Sequence, residues 1–295
     1  MDGFLNLDKP GGMTSHDVVA RVRRALSTKR VGHAGTLDPD ATGVLVIAVG
    51  QATRLLPYVP TEPKRYVARI AFGTATTTED ASGTVTQEAD TSALTEARVQ
   101  TALPRFIGKI AQVPPMVSAV HHEGRRLYEL ARAGITVERK ARAVMIDSLQ
   151  LSNFVPGARA EATLAVVCGG GTYIRTLCVD IGAALGLPAH MKELRREAVG
   201  PFTLTNAQPL SLLDDKNAAC VALLPMEQAL GFPVVALSNE ARQRVERGQA
   251  VPAQSTITGE NVALLWRERL QALARYEDGQ YHPFRVFPLD EESLS

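Results

Sequence analysis

The apolar residues of this chain are grouped in short segments, and the length of these segments limits the folds that the chain can adopt. Residues 44–49 form a run of six apolar side chains between Gly43 and Gly50. A buried strand needs about four to eight such residues, whereas a membrane helix needs about 18. Because β-branched side chains dominate the run, it predicts a buried strand and does not predict a membrane span.

Further segments of this kind are mixed with amphipathic stretches, without the steady strand-helix-strand alternation of a parallel sheet. This mixture predicts an α+β fold with a mixed sheet rather than a doubly wound one. Strands are predicted over residues 43–49, 66–72, 143–151, 162–168, 233–237, 261–266, 270–276 and 284–287. Helices are predicted over residues 15–26, 95–103, 125–133 and 173–185.

The first predicted helix has a clear start signal and is followed by a basic loop. Thr14 and Asp17 have the spacing of a capping box, and Val18, Val19 and Val22 then fall on one helical face. Residues 18–30 hold five basic side chains and no acidic one. The loop that leaves this helix is therefore a candidate contact for an anion.

The length of the chain and a change in its composition predict two domains. A chain of 295 residues corresponds to about two average domains. After Gly231, short strand-like segments are separated by Gly248, Gly259 and Gly279. We therefore expect a larger domain over residues 1–230 and a small β domain over residues 231–295. A hydrophobic fraction of 45% excludes a disordered chain.

Cysteine usage, the first residues and the charge exclude several classes of protein. Cys168, Cys178 and Cys220 include no Cys-x-x-Cys pair, so neither a disulfide framework nor a zinc site is predicted. The first residues lack the pattern of a secretory signal, and a cytoplasmic location is expected. The formal net charge is only +1, but residues 1–69 hold ten basic and six acidic side chains. An uneven charge of this kind is compatible with a polyanionic partner.

The densest polar stretch covers residues 33–43, His-Ala-Gly-Thr-Leu-Asp-Pro-Asp-Ala-Thr-Gly. It lies between the basic loop and a predicted strand, and loops held by a rigid strand often carry catalytic groups. Asp38 is followed by Pro39, which restricts Asp38 to an extended backbone. The spacing alone leaves two interpretations open, a catalytic carboxylate and an ordinary Asp-Pro turn.

A glycine-rich loop over residues 169–171 joins a predicted strand to a predicted helix. It lacks the Gly-Lys-Ser/Thr ending of a nucleotide-binding loop, so both a phosphate-binding loop and a tight turn remain open. Tyr173 and Arg175, in the first helical turn, are large and polar for such a junction. An arginine at this place could hold a carboxylate through charge-assisted hydrogen bonds.

A basic segment covers residues 121–142, with six basic and three acidic side chains. It is interpreted either as a solvated helical hairpin or as an arm that contacts phosphates. His121 and His122 are adjacent, and neighbouring side chains point apart, so they do not form a metal site.

Several motifs follow one another along nearly the whole chain. They are Gly3-Phe4-Leu5-Asn6-Leu7-Asp8-Lys9-Pro10, Gly32-His33 with Leu37-Asp38-Pro39, Lys64-Arg65-Tyr66, Pro114-Pro115 with Ser118-Ala119, Gly171-Thr172-Tyr173-Ile174-Arg175, and His190 with Leu194-Arg195-Arg196. In type and order they closely resemble the motifs of the TruB family, the bacterial tRNA pseudouridine-55 synthases. Two departures are Val117, where that family often has Tyr or Phe, and His121, where Lys is common.

This resemblance implies a role for several residues. Asp38 would be the catalytic aspartate and Arg175 its ion-pair partner. Tyr66 would stack on the target uracil, and His33 would occupy the space vacated when the uridine is flipped out.

The resemblance also implies an architecture. A pseudouridine synthase catalytic domain over residues 1–230 would have a mixed, mainly antiparallel sheet flanked by helices. A thumb insertion that grips RNA would cover about residues 113–143, and residues 231–295 would form a small β-barrel-like PUA domain that binds RNA. Tyr173 and Leu194 would line the uridine pocket, and Lys9 would support the catalytic loop.

The implied activity is isomerisation of uridine 55 in the T-arm of tRNA by base flipping, without a guide RNA. We expect no cofactor and no metal, because the reaction has no net redox change and consumes no water. A monomer without an obligatory protein partner or membrane association is expected. Two alternatives remain, an RNA-binding chaperone that keeps only remnants of the site, and a glycosidase that releases uracil from nucleosides. A basic segment would serve no purpose on the small substrate of a glycosidase.

Overall fold

The computed structural model describes residues 1–118, 120–122, 124–253 and 261–288. Its strands are β1 (Gly3–Lys9), β2 (Val31–His33), β3 (Thr42–Val49), β4 (Lys64–Phe72), β5 (Thr74–Thr76), β6 (Val85–Glu88), β7 (Gly108–Gln112), β8 (His121–His122), β9 (Arg125–Arg126), β10 (Arg142–Val155), β11 (Glu161–Cys168), β12 (Ala189–Val199), β13 (Phe202–Thr203), β14 (Gln208–Pro209), β15 (Val234–Ala236), β16 (Val251–Pro252), β17 (Asn261–Trp266), β18 (Arg269–Glu277) and β19 (Gln280–Val286). Its α-helices are α1 (Ser15–Ala25), α2 (Glu96–Ala102), α3 (Leu127–Arg132), α4 (Ile174–Ala184), α5 (Lys216–Val221) and α6 (Asn239–Glu246).

A ten-stranded sheet forms the centre of the larger part of the chain, in the order β14-β1-β3-β12-β4-β11-β10-β7. Strand β2 pairs with β3 at one side of this path, and β13 pairs with β12. The β1–β14 and β3–β12 pairs are parallel, and the other neighbours are antiparallel. The predicted α+β class with a mixed, mainly antiparallel sheet is therefore confirmed.

Strand β3 is buried on both faces, which explains why its sequence is continuously apolar rather than alternating. Leu45 and Ile47 pack in a cluster with Val18 of helix α1. Val44 and Val46, on the opposite face, belong to a second cluster that continues toward the C-terminal part of the chain. The catalytic loop expected before β3 is thus joined to a strand that is fixed from two sides.

Helix α1 begins, and helix α4 ends, where local signals in the sequence predict. The Thr14 side chain accepts from Asp17 N at 3.1 Å, and Thr14 N donates to Asp17 Oδ2 at 2.9 Å, which completes the predicted capping box of α1. Helix α4 is followed by Gly186 with a φ of +74°, the left-handed conformation that glycine adopts at helix ends. No helix within the described ranges is both long and apolar enough to cross a membrane.

Between β7 and β10 the chain leaves the main sheet, and residues 113–141 are called the inserted segment below. It contains the β8–β9 hairpin and helix α3. The helix predicted over residues 125–133 is shorter than expected, because Arg125 and Arg126 pair with β8 instead. Arg139 Nη1 donates to the carbonyl of Pro114 at 3.0 Å, and this bond closes the base of the segment.

The C-terminal sheet has the order β15-β17-β18-β19-β16, and it is packed against the larger part of the chain. Leu273 and Phe287 belong to the same buried cluster as Phe4. Arg54 Nη1 also donates to the carbonyl of Val286 at 2.9 Å. The described part of the C-terminal region therefore shares a hydrophobic core with the main sheet.

Candidate active site

Asp38 lies in the loop between β2 and β3, and hydrogen bonds from other elements fix this loop. Ser15, at the start of α1, accepts from Leu37 N at 2.9 Å and donates to Leu37 O at 3.1 Å. Met13 N donates to the carbonyl of Pro39 at 3.2 Å. The Asp38 side chain is 36% exposed. The loop thus presents a carboxylate that a substrate can reach.

Lys9, at the end of β1, is fully buried beneath this loop. Its Nζ donates to the carbonyls of Pro10 at 2.8 Å, Met13 at 2.6 Å and Pro39 at 2.8 Å. An ammonium group has three donors, so all of them are used. Burial lowers the pKa of Lys9 to about 8, although nearby carboxylates, of which Asp40 has the largest effect, raise it. Lys9 therefore contacts the loop through backbone carbonyls, and it is not among the residues that line the cavity next to Asp38.

Arg175 binds both oxygens of the Asp38 carboxylate. Arg175 Nε lies 3.0 Å from Asp38 Oδ2, and Nη2 donates to Oδ1 at 3.2 Å. The arginine side chain is only 4% exposed, and two parallel bonds from a planar guanidinium fix both the position and the orientation of a carboxylate. The structure thus brings together two residues that are 137 positions apart in the sequence.

The same guanidinium is fixed by backbone groups from two other parts of the chain. Its Nη2 donates to the carbonyl of Val117 at 2.8 Å, and its Nη1 donates to that of Thr78 at 3.1 Å. Asp80 Oδ2 lies 3.9 Å from Nε. Arg175 therefore connects the Asp38 loop with the inserted segment and with the β5–β6 connection.

The start of helix α4, which carries Arg175, is fixed by a buried amide. Gln112 lies at the end of β7, and its side chain pairs with the backbone of Tyr173. Tyr173 N donates to Gln112 Oε1 at 3.0 Å, and Gln112 Nε2 donates to Tyr173 O at 3.2 Å. The preceding glycine-rich loop is a tight turn, in which Gly170 N donates to the Glu62 carboxylate at 2.7 Å.

Arg196, in the central strand β12, joins the loop to the ring of Tyr66. Its guanidinium donates to the carbonyls of Val44 at 2.8 Å, Thr36 at 3.2 Å and Gly35 at 3.1 Å. The Tyr66 hydroxyl also interacts electrostatically with this guanidinium. Burial raises the pKa of Tyr66 and lowers that of Arg196. These contacts fix the aromatic ring beside the loop that carries the aspartate.

A cavity of about 260 Å³ opens between the loop, the inserted segment and the start of α4. Five of the residues predicted for the site line it together. Its walls are Gly35, Thr36, Leu37, Asp38, Lys64, Tyr66, Val117, Ser118, Gly171, Thr172, Tyr173, Ile174, Arg175, Leu194 and Arg196. A larger cavity of about 850 Å³ also has Asp38 and Leu194 in its walls.

His33, at the end of β2, lies outside the walls of the smaller cavity. Its ring makes an edge contact with His16, with 6.2 Å between the ring centroids. Nδ1 is buried and has no hydrogen-bond partner in the part of the chain that the structure describes. Burial, with the charges of His16 and Arg196, lowers the pKa of His33, which favours the neutral ring.

Sequence reasoning assigned no role to Arg196, Gln112 or Ser118, although all three are buried in or next to the site. An arginine within a buried strand would have been a signal, but the sequence of β12 does not predict a strand. A glutamine and a serine carry no local signal of this kind. Among the described residues, no group of three or more His, Cys, Asp or Glu side chains could hold a metal ion.

Solved structures share this fold. The chain is similar to one in a structure of an H/ACA RNP bound to a substrate RNA containing 2′-deoxyuridine, with a TM-score of 0.69 and 26% identity, over 98% of this chain and 86% of that one. A chain of a Cbf5-Nop10-Gar1 complex gives a TM-score of 0.68 and 29% identity, over 97% and 84% of the two chains.

Sequence comparison matches models of one family of pseudouridylate synthases over most of the chain. The model for "TruB family pseudouridylate synthase (N terminal domain)" matches residues 23–174, and that for "tRNA pseudouridylate synthase B C-terminal domain" matches residues 175–231. The tRNA pseudouridine synthase B of Symbiobacterium thermophilum is 53% identical over 251 residues, 85% of this chain and 83% of the relative. That of Shouchella clausii is 44% identical over 299 residues, 99% and 97% of the two chains.

The fold, the Asp38–Arg175 pair and these matches place the chain in the class of pseudouridylate synthases. Within this class the chain belongs to the TruB family. The resemblance that its motifs indicate is therefore confirmed.

Proposed function

We propose that this chain converts uridine 55 in the T-loop of tRNA to pseudouridine, with Asp38 as the catalytic group. The observation that carries the proposal is the bidentate pair between buried Arg175 and the accessible carboxylate of Asp38. The name of the relatives, tRNA pseudouridine synthase B, supports tRNA as the substrate.

The reaction needs one well-placed carboxylate. Pseudouridine formation breaks the bond between C1′ of the ribose and N1 of uracil, turns the base, and joins C1′ to C5. A carboxylate can serve this reaction by attack on C1′, by attack on the base, or by removal of a proton from the sugar. In each route Arg175 holds the Asp38 oxygens in a fixed direction, so that little reorientation is needed in the transition state.

The target base must leave a folded RNA loop to reach Asp38. Flipping a base out costs about a few kcal/mol, and stacking on an aromatic ring returns about 1–3 kcal/mol. We assign this stacking to Tyr66, which is in the cavity wall, and the remaining pocket contacts to Tyr173 and Leu194. His33 fills the space that the base leaves in the RNA, and Lys9 keeps the loop in place.

The domain organisation is part of the proposal. Residues 1–230 form the catalytic domain, with a thumb over about residues 113–143, and residues 231–295 form a PUA-like domain that binds RNA. Exposed Arg125 and Arg126 on the β9 strand of the inserted segment supply positive charge for phosphates. Val117 in the same segment contacts Arg175, so a thumb on RNA would lie against the arginine that positions Asp38.

We further propose that the enzyme acts alone, as a monomer without a guide RNA. The names printed for its relatives, tRNA pseudouridine synthase B, mention a tRNA substrate and no second component. The similar Cbf5 structure is, by its name, a complex with Nop10 and Gar1, and that assembly is not carried over to this chain.

The test compares Asp38→Asn with a matched control, Asp214→Asn, which changes an exposed carboxylate outside the walls of both cavities. Tritium release from a T-arm stem-loop containing 5-tritiated uridine measures turnover, and a filter assay measures RNA binding. We expect Asp38→Asn to bind RNA within a few-fold of wild type and to release no tritium, because an amide is neither a nucleophile nor a base. Tritium release by Asp38→Asn at a rate near wild type would contradict the assignment.

The same assay separates the alternatives. Wild-type protein that binds the stem-loop without conversion would be an RNA chaperone. Free uracil as a product would identify a glycosidase.

A further inference from the structure

We infer that the hydroxyl of Ser118 is a substrate-binding group that forms a hydrogen bond with the flipped nucleotide. This inference rests on the proposed function, and it adds to the site a polar contact from the inserted segment. Ser118 lines the same cavity as Asp38 and Tyr66.

The Ser118 hydroxyl is buried and unpaired. The residue is 6% exposed, and its Oγ has no hydrogen-bond partner among the described residues. A hydroxyl offers one donor and two acceptor sites, and burying a polar group without a partner is unfavourable. A buried, unpaired hydroxyl in the wall of a cavity therefore indicates that a ligand supplies its partner.

Other buried hydroxyl groups in the described part of the chain are paired within the protein. Thr91, which is also buried, donates to the carbonyl of Gly157 at 2.7 Å and accepts from Ala160 N at 2.7 Å. Ser15 both donates to and accepts from the backbone of Leu37. Ser118 is thus an exception that coincides with the catalytic cavity.

The backbone on both sides of this hydroxyl is held in place. The carbonyl of Val117 accepts from Arg175 Nη2 at 2.8 Å, and the carbonyl of Ser118 accepts from Tyr128 N of helix α3 at 3.1 Å. A side chain on a fixed backbone, with its own polar atom unused, is a preorganised binding group.

Uracil has the groups that such a hydroxyl can bind. Its two carbonyl oxygens are acceptors and its N3–H is a donor, and a serine hydroxyl can pair with either kind. The bond forms only when the nucleotide occupies the cavity, so it contributes to substrate binding without stabilising the free protein. The hydrogen bond would also connect the nucleotide to Ser118, which follows Val117 in the chain. The carbonyl of Val117 in turn accepts from Arg175.

The test measures two quantities, thermal unfolding of the full chain without RNA, and kcat and KM on the T-arm stem-loop. Ser118→Ala removes the unpaired hydroxyl, and the matched control Thr91→Val removes a paired one that is not in the cavity walls. We expect Ser118→Ala to unfold no earlier than wild type and to raise KM by about 5- to 50-fold, as one lost hydrogen bond predicts. Thr91→Val should unfold at a lower temperature than wild type and leave KM unchanged. Ser118→Thr, which keeps the hydroxyl, should have a KM between those of wild type and Ser118→Ala.

The inference is overturned, while the proposed function stands, if wild type is active and Ser118→Ala has the same KM. If that variant also unfolds as early as Thr91→Val, the hydroxyl has a structural role instead. If wild type does not convert the stem-loop, the proposed function fails, and equal RNA affinity of wild type and Ser118→Ala would then reject the contact as well.

Discussion

Replacing Lys9 by Met tests whether one buried ammonium group fixes the catalytic loop. Methionine has a similar length but no donor, so the carbonyls of Pro10, Met13 and Pro39 lose this partner. Pro39 keeps its hydrogen bond from Met13 N, so two carbonyls, those of Pro10 and Met13, are left unpaired. A polar group left unpaired by such a change costs about 1 kcal/mol or more, and two of them predict a loss of about 2 kcal/mol. At about 2–4 °C per kcal/mol for a domain of roughly 200 residues, Tm should fall by about 4–8 °C.

The stability difference between wild type and Lys9→Met should also depend on pH. Burial lowers the pKa of Lys9 from 10.5 to about 8 in the folded protein. Between these values the unfolded chain binds a proton that the folded protein does not, so the contribution of Lys9 to stability rises with pH across this window. The advantage of wild type over Lys9→Met should grow by up to about 3 kcal/mol between pH 8 and 10.5.

Urea unfolding at pH 7 and pH 10 measures both effects, with Lys109→Met as the control because Lys109 is exposed on β7. Turnover on the T-arm stem-loop at pH 7 should fall by about 10²-fold in Lys9→Met, since a loop displacement of about 1 Å next to Asp38 has an effect of that size. The reasoning would be refuted if Lys9→Met and Lys109→Met were equally stable. A wild-type advantage that stayed constant from pH 7 to pH 10 would refute the pH argument.

Two further predictions concern the cysteines and the C-terminal sheet. Cys168 and Cys178 are buried, and burial raises the pKa of both thiols, to about 11 for Cys168. Iodoacetamide at pH 8 should therefore modify Cys220 first in the native protein, which mass spectrometry can measure. Equal modification of the three cysteines would contradict this prediction. Phe287→Ala removes a fully buried ring from the core shared with the main sheet and should cost about 3–5 kcal/mol. Calorimetry should show one unfolding transition that shifts as a whole, whereas a shift confined to one of two transitions would show that the two sheets unfold independently.

Most of the elements could be predicted from the sequence, and the exceptions have a physical reason. The strand predicted over residues 43–49 is β3, and that over residues 261–266 is β17. Strand β12 was not predicted, because Lys192-Glu193-Leu194-Arg195-Arg196-Glu197-Ala198 consists largely of good helix formers. Pairing with both β3 and β4 overrides this local preference, and register shifts at Met191 and Arg196 interrupt the alternation that would mark a strand.

The site could be predicted only in part. The polar stretch around Asp38 is visible as a pattern, but its spacing is equally typical of a turn. That Arg175 is its partner came from the family resemblance, since nothing local relates two residues 137 positions apart. The supports supplied by Gln112 and Arg196 depend on which strands are neighbours in the sheet, and this information is not local to any segment.

The contacts of Arg175 with Val117 and Thr78 have an evolutionary consequence. Both contacts use main-chain carbonyl oxygens, which every amino acid possesses. Substitutions at these two positions can therefore accumulate while the two carbonyl oxygens that accept from the arginine remain in place. Valine at position 117, where the family resemblance leads us to expect an aromatic residue, is an example, because its carbonyl oxygen still accepts from the Arg175 guanidinium.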